Sequence, residues 1–323
     1  MKAEELREKK ISVIGAGGVG GYLAGMLGRV YPHMTLVARG ARGQSVREHG
    51  LVLHSDYHGE ICVRPESVAN SISELTPQDY IFLCVKNYSL EQAAAELKDV
   101  IDEHTVVIPV MNGADVGDRV RELLGEGIVV DSLIYIIAYA NDDFSISQQG
   151  DIADIRIGIM NPDEKEKKAI EEVTSILESA GIDFEASEDI EREIWRKYIL
   201  NCAYNVATAY YDNTIGELRG DACKAKEYEQ LAWEAYEVAV AKGVHVTREH
   251  IEYVIDRFHY DYKDEATSSL QRDIRDGKPT ELDIFGGYLT REAKKMGVDV
   301  PLSEKMYRGL KEKESARSRT RKL

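Results

Sequence analysis

The chain has 323 residues, 43% of them apolar and 30% charged, with a formal net charge of −16. That length exceeds one ordinary core of roughly 100–200 residues and favours two domains, while the acidic balance opposes general nucleic-acid binding, which rests on neutralising phosphates. The longest apolar stretch, residues 128–140, is broken by Asp131 and falls short of the ~20 residues of a membrane span.

Residues 1–10 alternate charges without an apolar core, so neither a signal peptide nor a membrane helix is expected. The four cysteines, Cys62, Cys84, Cys202 and Cys223, have no zinc-finger or paired spacing. A reducing, cytoplasmic setting without a metal site follows as the expectation.

In chain order, residues 10–14 predict a strand, 19–29 a helix and 35–38 a second strand, a βαβ opening. A hairpin is expected within 51–63, then a strand at 80–85, a helix at 90–97, a strand at 105–110 and further strand material over 127–158. Helical periodicity covers 164–179 and a short strand 181–184, and after Ser187 nearly everything reads as helix. The expected fold is α/β: an N-terminal Rossmann-type doubly wound sheet over residues 1–186, followed by an all-helical domain over 187–323. The basic run from Arg308 to Lys322 reads as a solvated helix end and frayed tail.

The first motif is Gly15, Gly17 and Gly20 in G-x-G-x-x-G spacing, directly after a strand and opening a helix. There, Gly15 permits a tight turn and Gly17 a close approach to a pyrophosphate. Gly18 and Val19 lie in the same loop, and Gly20 lets the helix pack on the strand. At the end of the second strand, where an NAD enzyme usually carries a carboxylate for the ribose, Arg39 stands, with Arg42 close behind. An arginine there suits a 2′-phosphate and so favours NADP, although exposed loop arginines are the bland reading. His54 and His58, four apart, lie in the expected hairpin and read as turn histidines; none of the eight histidines suggests a His-Asp dyad or a metal.

Lys86 and Asn112 each follow an apolar strand, where open α/β sheets bind ligands, and each alone would be an ordinary turn residue. The segment 193–210 is the most informative. At ~100° per residue, Lys197, Asn201, Asn205 and Thr208 fall within about 80° of one another on an otherwise apolar helix. Buried polar groups need partners, so this stripe is expected to line a ligand cleft, with a structural ion pair at the lysine as the alternative. Farther on come Ser268-Ser269, then Thr280 and Asp283 in capping-box spacing around Glu281, whose carboxylate suits either a first helical turn or a site.

Together the glycine loop, VKNY around Lys86, MNG around Asn112, EIWRKYILNCAYN, SSLQRDI and PTELD resemble the ketopantoate reductase family through nearly the whole chain. The resemblance implies a Rossmann domain, a helical domain and an active site in the cleft between them. It implies Lys197 as general acid and Glu281 as a second catalytic group, with Asn201, Asn205 and Ser269 holding the keto acid. Lys86 and Asn112 would sit beside the nicotinamide of NADPH. Val206 stands where many members have proline, and Asp115 where a glycine is usual. The implied reaction is NADPH-dependent reduction of 2-dehydropantoate (ketopantoate) to pantoate. Another bulky 2-oxo acid, an opine-type dehydrogenase and a non-catalytic NADP(H)-binding sensor are the alternatives. The expected partner is a small 2-oxo acid, with a homodimer left open.

Overall fold

A computed structural model describes residues 3–320. Met1 and Lys2, within the stretch read for a signal peptide, and Arg321 and Lys322, in the basic run, lie outside the described residues. The chain divides into two compact units, Met1–Ile190 and Glu191–Leu323.

The first unit runs α1 (Ala3–Arg7), β1 (Ile11–Ile14), α2 (Gly18–Leu27), β2 (Met34–Val37), α3 (Gly40–His49), β3 (Leu51–Ser55), β4 (Gly59–Val63), β5 (Ser67–Ala69) and β6 (Tyr80–Leu83). It continues with α4 (Leu90–Leu97), β7 (Val106–Pro109), α5 (Val116–Leu124), β8 (Ile128–Val129), β9 (Asp131–Ala140), β10 (Ile146–Gly158), α6 (Glu164–Ala180) and β11 (Asp183–Ala186). A six-stranded sheet in the order β5-β2-β1-β6-β7-β8 is parallel throughout. Its central strands are short and apolar on both faces because both faces are covered. Ile11, Val13, Leu36, Phe82 and Ile108 enter a core shared with α2 and α6, whereas Ile14, Val37, Ile81, Leu83 and Val107 enter one shared with α4 and α5. This is the Rossmann-type, doubly covered sheet expected.

A second, mixed sheet collects what read only as a hairpin and strand material: the β3–β4 hairpin, β10 with antiparallel β9, and β11. Three helices went unread, α1, α3 and α5. Of α3 only Gly43 and Val46 are buried, so Arg39 and Arg42 belong to a helix start rather than a loop.

The second unit comprises α7 (Ile190–Tyr211), α8 (Ile215–Arg219), α9 (Ala222–Ala241), α10 (Arg248–Asp256), α11 (Ser269–Arg275), α12 (Tyr288–Met296) and α13 (Pro301–Thr320), with no strand among the described residues. Two π-helical turns, Arg257–Asp261 and Asp283–Gly287, extend α10 and lead into α12. No helix among the described residues is long and apolar enough to cross a membrane. At the start of α13 the buried Glu234 accepts from Leu302 N, Ser303 N and Ser303 Oγ at 3.1, 2.8 and 2.7 Å, which satisfies orphan donors with a charge the helix dipole favours.

Candidate functional site

In the first unit the glycine loop sits at the carboxyl end of β1. Gly15 has φ +102, donates to Val37 O at 3.1 Å, and has Cys84 O only 2.7 Å from where a Cβ would stand. A Cβ on Gly20 would lie 1.9 Å from Gly15 O and one on Gly18 2.2 Å from Ala138 O, so both positions need glycine for packing alone. Gly17 differs: it caps α2 without a side-chain bond, and a Cβ there meets nothing within 4 Å. Open space at the N-terminus of a ten-residue helix with no acidic residue in its first turn is the geometry an anionic phosphate takes.

Around that loop, Arg39 is the exposed N-cap of α3, with its guanidinium 3.4 Å from Glu96 Oε1. Arg42 is half-buried, 5.5 Å from the Phe144 ring centroid, and burial pushes its pKa down. Lys86 is exposed and leads into a 3₁₀ turn, Asn87–Ser89. The buried Asn87 donates to Asn112 O at 2.7 Å and accepts from Arg119 at 3.0 Å, tying the ends of β6 and β7 to α5. Sequence reasoning passed over Asn87; an amide two residues beyond the strand read at 80–85, next to Lys86, was the available signal. The histidines are accounted for locally: His54 pairs with Glu60 at 2.6 Å across the hairpin, and His58 with Tyr22 Oη at 3.0 Å. Among the described residues no cluster of His, Cys, Asp and Glu is placed to hold a metal ion.

In the second unit Lys197 lies in α7, half-buried, with Glu281 buried nearby. Burial drives the Lys197 pKa down from 10.5 to about 8, and the Glu281 charge partly restores it. An ordinary lysine pKa therefore does not hold here; desolvation penalises the ammonium.

The expected capping box of Thr280 and Asp283 does not form. Helical structure begins at Leu282, whose N–H donates to Thr280 Oγ1 at 3.3 Å, while Asp283 turns out to Arg291 and Tyr307. Glu281 instead precedes the helix, its carbonyl accepting from Ile284 N at 2.9 Å, which leaves its carboxylate directed by tertiary packing rather than by capping. The π turn after it is held from α7: Tyr198 Oη donates to Ile284 O at 2.7 Å and Cys202 Sγ to Phe285 O at 3.3 Å. The same helix thus carries Lys197 and anchors the turn that carries Glu281.

The lower part of the polar stripe meets the start of α11. Asn205 Oδ1 accepts from Ser269 Oγ at 3.2 Å and from Leu270 N at 3.3 Å, and Asn205 Nδ2 donates to Asn201 O at 3.2 Å. Thr208 Oγ1 donates to Ser268 Oγ at 2.7 Å, and that oxygen also accepts from Gln271 N as the cap of α11. Asn201, Asn205 and Ser269 are therefore one hydrogen-bonded group, whereas Thr208 is consumed in docking two helices. Tyr204, on the same helix face, was read only as part of the apolar remainder.

A sequence family described as Ketopantoate reductase PanE/ApbA matches residues 11–162, and its C-terminal counterpart matches residues 189–314. The chain is 28% identical to an uncharacterized oxidoreductase, YkpB, of Bacillus subtilis, over 93% of this chain and 97% of that one. It is 27% identical to a 2-dehydropantoate 2-reductase of Pyrococcus horikoshii, over 95% and 98%. A crystal structure of a PanE/ApbA family ketopantoate reductase from Ralstonia eutropha superposes with a TM-score of 0.87 at 26% identity, covering 96% of this chain and 99% of that one.

Proposed function

The chain belongs to the PanE/ApbA ketopantoate reductase family of oxidoreductases acting on a CH–OH group, and we propose that it uses NADPH to reduce 2-dehydropantoate to pantoate. The observation that carries the reading is the lysine ammonium held beside a buried carboxylate, with its pKa at about 8. The open N-terminus of α2 fits a dinucleotide pyrophosphate, with Gly15, Gly17, Gly18, Val19 and Gly20 as the cradle. Arg39, exposed and held by Glu96 at 3.4 Å, would hold the 2′-phosphate, and Lys86 and Asn112 would hold the nicotinamide end of the cofactor.

When bound, the nicotinamide supplies the hydride that C2 of the oxo acid accepts. Lys197 donates its proton to the carbonyl oxygen as that oxygen gains negative charge. With a pKa near 8 the ammonium is mostly protonated at pH 7, yet is a stronger acid than an ordinary lysine. A preorganised donor at a developing oxyanion is worth about 3 kcal/mol. Glu281 stabilises the ammonium and orients the substrate, while Asn201 and Ser269 bind the oxo acid and Asn205 holds Ser269 in position.

The test is to mix protein with NADPH and ketopantoate and follow loss of nicotinamide absorbance, with NADH and other 2-oxo acids in parallel. Fast oxidation confined to ketopantoate supports the full proposal. Turnover of a different oxo acid replaces the substrate, and NADPH binding without oxidation of any would favour a sensor.

A further inference from the structure

Past the carboxyl ends of β6 and β7, Val110 N donates to Leu83 O at 2.9 Å. Two residues farther along, Asn87 Nδ2 donates to Asn112 O at 2.7 Å and joins the two chain ends through a side chain. Asn87 is buried although it lies between the exposed Lys86 and the exposed Tyr88. Sinking an amide there is costly unless both of its ends are met.

Both ends are met, by groups that fix which way the amide faces. Arg119 Nη1 donates to Asn87 Oδ1 at 3.0 Å. A guanidinium has donors only, so the amide oxygen faces α5 and the NH₂ faces Asn112. A bond from a charged donor is also stronger than one between neutral groups, and Arg119 is seated in α5, its N–H donating to Asp115 O at 3.0 Å. On one side, Asn87 opens the 3₁₀ turn that Lys86 caps, closed by Ser89 N donating to Lys86 O at 2.8 Å. On the other, Asn112 is followed by Gly113 at φ +133, and a glycine imposes little direction on the chain. A hold on the Asn112 carbonyl from outside the loop therefore matters.

We propose that Asn87 is a positioning residue for hydride transfer: oriented by Arg119, it holds Asn112 and Lys86 where they meet the nicotinamide end of the cofactor. It acts through those two residues rather than by touching the cofactor. The inference rests on the reductase reading above, in which Lys86 and Asn112 take that end. A misplacement of about 1 Å costs on the order of 10²-fold in rate, so loosening this one bond disturbs the nicotinamide end, while the adenosine end, assigned to the glycine loop and Arg39, stays as it was.

The test compares wild type with Asn87→Asp, Arg119→Met and Asn112→Ala, each checked for folding by its melting temperature. Affinity is measured for NADPH and for adenosine 2′,5′-bisphosphate, which carries the adenosine and 2′-phosphate without the nicotinamide, and kcat is measured with NADPH and ketopantoate. Asn87→Asp keeps the size of the side chain and its contact with Arg119 but sets an oxygen against Asn112 O. It is expected to bind NADPH about tenfold more weakly and to lose about 10- to 10²-fold in kcat, with affinity for the bisphosphate unchanged. Arg119→Met, which frees the amide to turn over, moves NADPH affinity and kcat in the same direction by less. Equal weakening of both ligands, or a lower melting temperature with the ratio of the two affinities unchanged, makes Asn87 an ordinary structural amide and overturns the proposal. If Asn87→Asp does not fold, an unchanged ratio in Arg119→Met overturns it. The ratio needs no turnover, so it reads the positioning role whichever oxo acid is reduced. Asn112→Ala separates the two levels: an unchanged ratio there removes Asn112 from the nicotinamide end and the proposal with it, whereas a shift there and none in folded Asn87→Asp overturns the role of Asn87 alone.

Discussion

At Lys197 function and stability pull in opposite directions. Its pKa falls from 10.5 in an exposed chain to about 8 in the fold, and each unit is about 1.4 kcal/mol, so keeping the ammonium there costs on the order of 3 kcal/mol at neutral pH. The unfolded chain binds more protons between pH 8 and 10.5, so this group makes stability rise with pH through that window, and the whole cost is present below it. Lys197→Met is therefore expected to lose about 10²- to 10⁴-fold in kcat/KM, and the urea midpoint at pH 7 should rise once Glu281→Gln is added, so that no buried carboxylate loses its neighbouring cation; a lowered midpoint in that double variant would mean the lysine is a structural partner. In wild type, reduction should decline above about pH 8 as the proton donor is lost. Glu281→Gln removes the charge that raises the lysine pKa, so that decline should shift to lower pH, and a pH profile that stays in place would dissociate Glu281 from the donor. The polar stripe of Lys197, Asn201 and Asn205 was legible from its periodicity. What the stripe touches was not: Ser269 is 64 positions beyond Asn205, and the residues alone left Glu281 open between a first helical turn and a site because local spacing cannot report a π turn held by Tyr198 and Cys202.

At the level of elements, the strand–glycine loop–helix unit was readable because every local cue agreed, yet its glycines are not equivalent. Gly17→Ala places a methyl in open space with no positive φ to strain it, so stability should change little while NADPH affinity falls. Gly18→Ala drives a methyl against Ala138 O at 2.2 Å and should lower the melting temperature as well as affinity. Comparing melting temperature and NADPH titration for the two variants separates packing from ligand approach; equal melting losses would contradict the open space at Gly17. The elements missed have physical reasons. The α3 helix buries only Gly43 and Val46 and leaves no apolar face to detect. By contrast α5 buries Val116, Val120 and Leu124 at helical spacing, a signal present but short and framed by glycines. The second sheet could not be assembled in advance because β10 joins β3 and β11 from distant parts of the sequence, and alternation within a strand does not name its partner.

For the molecule as a whole, a net charge of −16 repels any anionic ligand at long range, so a phosphate-bearing cofactor has to be captured by local positive potential. Two sources lie at the carboxyl edge of the parallel sheet: the N-terminus of α2, which suits any dinucleotide, and Arg39, which in the function proposed above tells a 2′-phosphate from a hydroxyl. Arg39 is exposed, and interactions of exposed charges are screened over about 10 Å at 0.1 M salt. The preference for NADPH over NADH, measured as the ratio of their kcat/KM values, is accordingly expected to shrink as salt rises from 0.02 to ~0.5 M. In Arg39→Gln the preference should drop about tenfold or more at low salt and lose most of its salt dependence, because the remaining contacts with the two cofactors are shared. A preference that survives Arg39→Gln with its salt dependence intact would move the discrimination to another cation near the loop, and Arg42, half-buried against Phe144, is the residue whose substitution would then decide it.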